Sequence, residues 1–119
     1  MTRRFPRSVY DVGAEPDARF TLANERTFLA WLTFGLGTVS LGVALESFAL
    51  GLHPWFRMAS SLLLIAMGTL MPVQAWLGWQ RVERALRQQQ PLPSMVHGLI
   101  TAAGIVVAGA LVALGIVLR

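Results

Sequence analysis

The sequence predicts an all-α membrane protein with three transmembrane helices, and three observations carry that expectation. Of its 119 residues, 55% are hydrophobic and 13% charged, whereas a soluble domain carries about a quarter charged residues. The charges are placed so that residues 27–45, 58–80 and 88–118 contain none, giving stretches of 19, 23 and 31 residues. Each reaches the roughly 20 residues that a helix needs to cross a hydrocarbon core about 30 Å thick. Finally, all ten basic residues are Arg and they flank these stretches rather than gathering along one face. Flanking charge is a topology signal, and its distribution excludes a nucleic-acid-binding module despite the net charge of +4. Without Cys there is no disulfide, thiolate ligand or thiol nucleophile.

The elements follow in order. Residues 1–18 mix Arg, acids, Gly13, Pro6 and Pro16, and read as a flexible arm. Arg3-Arg4 resembles a twin-Arg export signal, but the apolar run starts only near Phe28 and no small-residue cleavage site follows it. Residues 19–119 form one transmembrane domain, with spans over about 27–50, 58–80 and 97–118. The first helix begins at 19–21, after Pro16-Asp17. Gly51, His53 and Pro54 turn the chain into a second helix over about 57–89, in which Pro72 is expected to bend the axis. Pro91 and Pro93 end that helix and the third follows. Arg3, Arg4, Arg7, Arg19 and Arg26 lie on the same side as Arg81, Arg84 and Arg87, against only Arg57 and Arg119 on the other. The positive-inside rule then places the N-terminus in the cytoplasm and the C-terminus outside.

The strongest pattern lies in the first helix. Arg19, Ala23, Arg26, Ala30, Thr33, Gly37, Ser40, Ala44 and Ser47 follow one another at alternating steps of four and three. This is an unbroken heptad seam whose members are all small, polar or Arg. Small residues at this spacing let helices approach closely in lipid. Two readings stay open: packing against the other helices of the same chain, or a face turned to a symmetry axis shared with further copies.

Charges at the ends of the first span lack partners on their own helix. Glu25 and Arg26 have only Thr or apolar residues three and four positions away. At matching depth the second helix offers Arg81, Glu83 and Arg84, so Glu25 is expected to meet Arg81 or Arg84, and Arg26 to reach Glu83. At the other end Arg57 is the candidate partner for Glu46. His53 and His97 fall on opposite sides of the membrane and cannot share a metal ion. No Ser-His-Asp set, phosphate-cradling Gly loop or carboxylate cluster is present. The sequence therefore predicts no enzyme, no catalytic residue, no cofactor and no metal site.

Residues 16–32 read Pro-Asp-Ala-Arg-Phe-Thr-Leu-Ala-Asn-Glu-Arg-Thr-Phe-Leu-Ala-Trp-Leu, and residues 79–84 read Trp-Gln-Arg-Val-Glu-Arg. This pattern resembles the YidH-like family of small inner-membrane proteins of unknown function, and is similar to the transmembrane domain of the vacuolar transporter chaperone, a polyphosphate polymerase complex. The resemblance covers about residues 16–119 and includes Asn24, Glu25 and Arg26. It implies a multi-pass protein of the bacterial inner membrane with three helices and a cytoplasmic N-terminus. In the chaperone complex such domains gather as a pentamer around a basic channel. This chain departs from the pattern at Thr33, where family members carry a second Arg, so a polyanion path would lack one ring of charge about 10 Å deeper than Arg26.

Three functions are consistent with these residues. One is a homo-oligomeric scaffold or pore-like assembly that binds or passes anions such as phosphate or polyphosphate. Another is an accessory subunit that positions a membrane enzyme or transporter. The last is an anionic-lipid binder using Arg81, Arg84 and Arg87.

Overall fold

A computed structural model describes residues 4–49 and 51–119. Met1, Thr2, Arg3 and Leu50 fall outside it, so the expected end of the first span at Leu50 and the Arg3-Arg4 pair are not fully described. Among the described residues the chain is built from helices alone: α1 (Arg7–Tyr10), α2 (Ala18–Phe48), α3 (Pro54–Arg87) and α4 (Val96–Val117). The last three are long and apolar enough to cross a membrane.

Local chemistry sets the ends. Asp17 caps α2, its carboxylate accepting from the Arg19 N–H at 2.9 Å. At the start of α3, His53 Nδ1 accepts from the Trp55 N–H at 3.2 Å and Pro54 occupies the first turn. That cap starts α3 three residues before the expected 57, since Pro suits a first turn whose N–H groups have no helical partner. At 1.5 Å per residue α2 and α3 are about 46 and 51 Å long, against about 33 Å for α4. The arm-end portions of both, residues 18–26 and 81–87, carry charges that the rest of each span lacks up to Glu46 and from Met58 on.

The helices are arranged around α3. Both α2 and α4 lie against it, and α1 touches it at the arm end. α2 and α4 meet at Trp31 and His97, whose rings lie edge to face at 5.6 Å. The described residues extend over 61 × 26 × 20 Å.

The α2–α3 interface is a heptad, but not the one that carries Arg26. Thr21, Asn24, Phe28, Trp31, Gly35, Thr38, Gly42 and Leu45 are all buried or half-buried. Along the other seam only Ala44 is half-buried, and Arg19, Ala23, Arg26, Ala30, Thr33, Gly37, Ser40 and Ser47 are exposed. The two seams are offset by two residues, about 200° around the helix. Glycines decide which one faces α3. A Cβ on Gly35 would sit 3.0 Å from the Gly68 carbonyl oxygen, and one on Gly68 would sit 2.6 Å from the Gly35 oxygen and 2.7 Å from the Val39 nitrogen. Pro72 lies inside α3, which continues through it, and having no N–H it leaves that Gly68 carbonyl without its helical donor. The freed carbonyl is the one against which Gly35 rests. Gly37, on the opposite seam, has nothing within 4 Å of where its Cβ would be.

Substitution at the crossing should therefore separate the helices. Gly68→Ala is expected to destabilise the protein by about 1–3 kcal/mol through overpacking, outweighing the gain of up to ~1 kcal/mol in helix propensity. Gly109→Ala, where nothing lies within 4 Å, should be neutral or stabilising. Thermal unfolding in detergent measures both.

Candidate functional site

The most heavily built polar site lies at the arm end of α2 and α3. Glu83 is 1% exposed and Asn24 7%. The Asn24 side-chain amide donates to the Trp79 carbonyl at 3.1 Å and to Glu83 Oε1 at 3.2 Å. The Thr21 hydroxyl donates to Glu83 Oε2 at 2.9 Å. Each carboxylate oxygen thus has a donor, yet no Arg of a described residue lies within 4.0 Å of it. Burying a carboxylate is costly unless its oxygens are satisfied, so these neutral donors tie the register of α2 to that of α3.

The arm closes over this end. Val9 of α1 is fully buried and the Tyr10 ring packs against Trp79 at 6.1 Å. Where the sequence suggests only an irregular arm, the described part is held by Arg87. Its guanidinium donates to the Val12 carbonyl at 2.8 Å, the Tyr10 carbonyl at 3.0 Å and Glu15 Oε2 at 3.2 Å. The Arg87 carbonyl in turn accepts from the Ala14 N–H at 2.9 Å. Gly13 permits this approach: its φ is +62°, and a Cβ there would run into the Arg87 carbonyl. Arg4 completes the clamp, pairing with Glu15 at 2.5 Å and lying over the Tyr10 ring at 4.3 Å. Desolvation, with Glu83 nearby, pushes the Tyr10 hydroxyl up.

The Arg4 guanidinium, with Arg87 beside it, holds the Glu15 carboxyl below its ordinary 4.5. A depressed carboxyl contributes stability that is present above its unfolded value and lost as pH falls through the folded one. Arm docking should therefore be intact at neutral pH and weaken below pH 4.5. Hydrogen exchange of the Ala14 amide against pH measures it, and Glu15→Gln should remove the pH dependence.

The structure places the sequence-predicted residues as follows. It does not bring Glu25 to Arg81 or Arg84, nor Arg26 to Glu83. Glu25, Arg26, Arg81 and Arg84 are all exposed, and Glu83 takes Thr21 and Asn24 instead. The reason is the rotation of α2: the glycine crossing points position 24 at α3 and turns 25 and 26 aside. At the opposite end Arg57 Nε lies 3.5 Å from Glu46 Oε2. Arg19 pairs locally with Asp17 at 3.1 Å. Thr33, Gly37 and Ser40 are exposed, and the two hydroxyls donate to the Leu29 and Leu36 carbonyls at 3.0 and 2.8 Å. Arg87 is buried by the arm and separated from Arg81 and Arg84, which line a cleft of about 300 Å³ where α3 turns toward α4.

Sequence reasoning about Asn24 and Glu83 did not pair them, and it overlooked Thr21, Tyr10 and Trp79. The spacing carried a signal, because Thr21, Asn24, Phe28, Trp31, Gly35, Thr38 and Gly42 are a second heptad with Asn24 on it. A double-mutant cycle should separate the two arrangements. Asn24→Ala alone leaves a buried carboxylate oxygen short of a donor and should cost about 1–3 kcal/mol. Asn24→Ala with Glu83→Ala should show coupling in detergent unfolding, whereas Glu25→Gln with Arg84→Gln should show none.

Comparison with known proteins gives a consistent picture. Inner membrane protein YidH of Escherichia coli (strain K12) is 37% identical over 108 residues, which cover 90% of this chain and 93% of YidH. The uncharacterized protein Rv2272 of Mycobacterium tuberculosis (strain H37Rv) is 41% identical over 104 residues, 87% of this chain and 84% of the relative. No solved structure matches. A family model described as a domain of unknown function, DUF202, matches residues 19–85, a segment that holds α2 from Arg19 onward, the Asn24–Glu83 link and the glycine crossing. On that match and the two relatives, the chain belongs to the DUF202 family and is YidH-like.

Proposed function

We propose that this chain is an integral protein of the bacterial inner membrane that assembles with copies of itself through the outer seam of α2, forming a scaffold or pore-like oligomer that binds or passes anions such as phosphate or polyphosphate. The observation that carries the reading is the exposure of that seam. α3 takes the opposite face of α2 and α4 lies against α3, so Ala23, Arg26, Ala30, Thr33, Gly37 and Ser40 stay exposed among the described residues of the protomer. In lipid there is no hydrophobic gain from bringing apolar helices together, and small residues that allow close van der Waals approach supply the association instead. The Thr33 and Ser40 hydroxyls are bonded to their own backbone, so the seam offers a smooth surface whose contact rests on shape. Closed cyclic symmetry is the common way for such a surface to be covered.

Arg26 lies on this seam at the arm end, which the Arg distribution assigns to the cytoplasm. Repeated around an axis it forms a ring of positive charge at one mouth, and Arg rings favour anions. At the other end Arg57 partly neutralises Glu46. Localisation follows the YidH relative, an inner membrane protein. The likeness to the chaperone's transmembrane domain, with its basic channel, supports the same reading, while Thr33 makes the path less basic.

Gly37→Leu tests assembly without touching the protomer, since nothing lies within 4 Å of that position. It should reduce the assembly to smaller species by native mass spectrometry while leaving thermal stability of the protomer unchanged. In proteoliposomes Arg26→Gln should lower anion flux several-fold, and Thr33→Arg should raise polyphosphate retention. A wild-type monomer, or a Gly37→Leu variant with wild-type mass, overturns the oligomer. Intact assembly without anion flux favours a scaffold that positions another membrane protein.

A further inference from the structure

We propose that the cleft at the turn between α3 and α4 binds the phosphate group of an anionic lipid headgroup, with Arg81 and Arg84 as its two cationic arms. The cleft holds about 300 Å³ and is lined by Arg81, Arg84, Gln88, Gln90, Pro91 and Pro93 among others, with no acidic residue in its wall. It is formed within one protomer, so it does not depend on assembly through α2.

Four observations converge on an anion. Arg81 and Arg84 are three residues apart on one helix face, an arrangement in which like charges repel. No carboxylate of a described residue lies within 4.0 Å of either guanidinium. The acid between them in sequence, Glu83, is turned to the opposite side of α3 and consumed by Thr21 and Asn24. The third Arg of the run, Arg87, is spent on the arm. The structure thus selects two of three guanidinium groups and leaves both uncompensated over one hollow.

The chain that faces them leaves α3 through a defined turn. α3 ends in a Schellman turn: the Gln90 N–H donates to the Ala85 carbonyl at 2.9 Å, the Gln89 N–H reaches the Leu86 carbonyl at 3.4 Å, and Gln89 takes a left-handed φ of 54°. Pro91 and Pro93 then hold the chain extended away from helix. This fixes the Gln88 and Gln90 positions beside the Arg pair, offering neutral amide donors next to planar guanidinium groups suited to phosphate oxygens. Depth argues for a lipid source. The uncharged stretch of α3 ends at Gln80 and Arg81 follows immediately, which sets the cleft at the headgroup layer where basic residues meet anionic lipids. A topology signal alone would need the charges but not an open hollow beside them whose lining carries no acid.

The test uses the full chain purified in detergent, with native mass spectrometry counting bound lipid. Phosphatidylglycerol is titrated against phosphatidylcholine of equal chain length, and inorganic phosphate is titrated separately. Wild type should retain phosphatidylglycerol over phosphatidylcholine, and Arg84→Gln should weaken that retention about tenfold. Arg81→Gln with Arg84→Gln should abolish the preference. Arg7→Gln removes one charge from the exposed arm outside the cleft and should leave it unchanged. The double variant Arg81→Lys with Arg84→Lys keeps the charge and the topology signal and guards against misfolding. It should keep most of the preference, because Lys also binds phosphate, as a point charge; if the Gln variants keep the preference, the cleft is not a phosphate site. Saturation by inorganic phosphate with no preference for phosphatidylglycerol overturns the lipid assignment.

Discussion

The close approach of Gly35 on α2 to Gly68 on α3 constrains the rest of this molecule. Two backbones that meet where a Cβ would have 3.0 Å or less to the facing oxygen cannot rotate without separating. Helix rotation in lipid has no hydrophobic gradient to guide it, because the surrounding tails are as apolar as the side chains. Shape then decides orientation, and here shape means glycine against glycine. Pro72 reinforces the contact by leaving the Gly68 carbonyl free of its helical donor at that point.

Once the rotation is set, the polar chemistry sorts itself. Asn24 is eleven residues before Gly35, three turns back along the same face, and so it reaches Glu83 and the Trp79 carbonyl. Glu25 and Arg26, one and two positions on, cannot. A buried carboxylate bound by amide and hydroxyl donors makes this end selective for one register, since a slip would leave both oxygens and both donors unsatisfied. With Glu83 occupied on the inner side of α3, Arg81 and Arg84 are left without an acid on the outer side. The same sequestration gives the two faces of α3 opposite character.

The arm adds a second layer of closure. Arg87 lies one turn beyond Glu83 and spends its donors on backbone carbonyls of residues 10 and 12 and on Glu15. A guanidinium suits this role because its planar fork satisfies several acceptors at once. Residues that read as a charged, irregular tail therefore become the lid of the polar site, and Arg87 leaves the group of residues available to outside anions.

Much of this protein was legible along the chain. Uncharged stretches of spanning length, helix breakers between them and Arg at their borders follow from hydration of charge and backbone geometry, which act locally. A heptad of small residues in the first helix was equally readable. What spacing could not decide was which of two heptads on that helix faces its neighbour, because both carry small and polar residues at the same intervals. Only tertiary structure settled it, by matching Gly35 and Gly42 to the backbone of α3. That match turned the Arg26 seam outward and gave Glu83 to Asn24 rather than Arg26, while the carbonyls of the arm and Glu15 took Arg87. Each is a choice of partner across space, made by shape and hydrogen-bond satisfaction between residues distant along the chain.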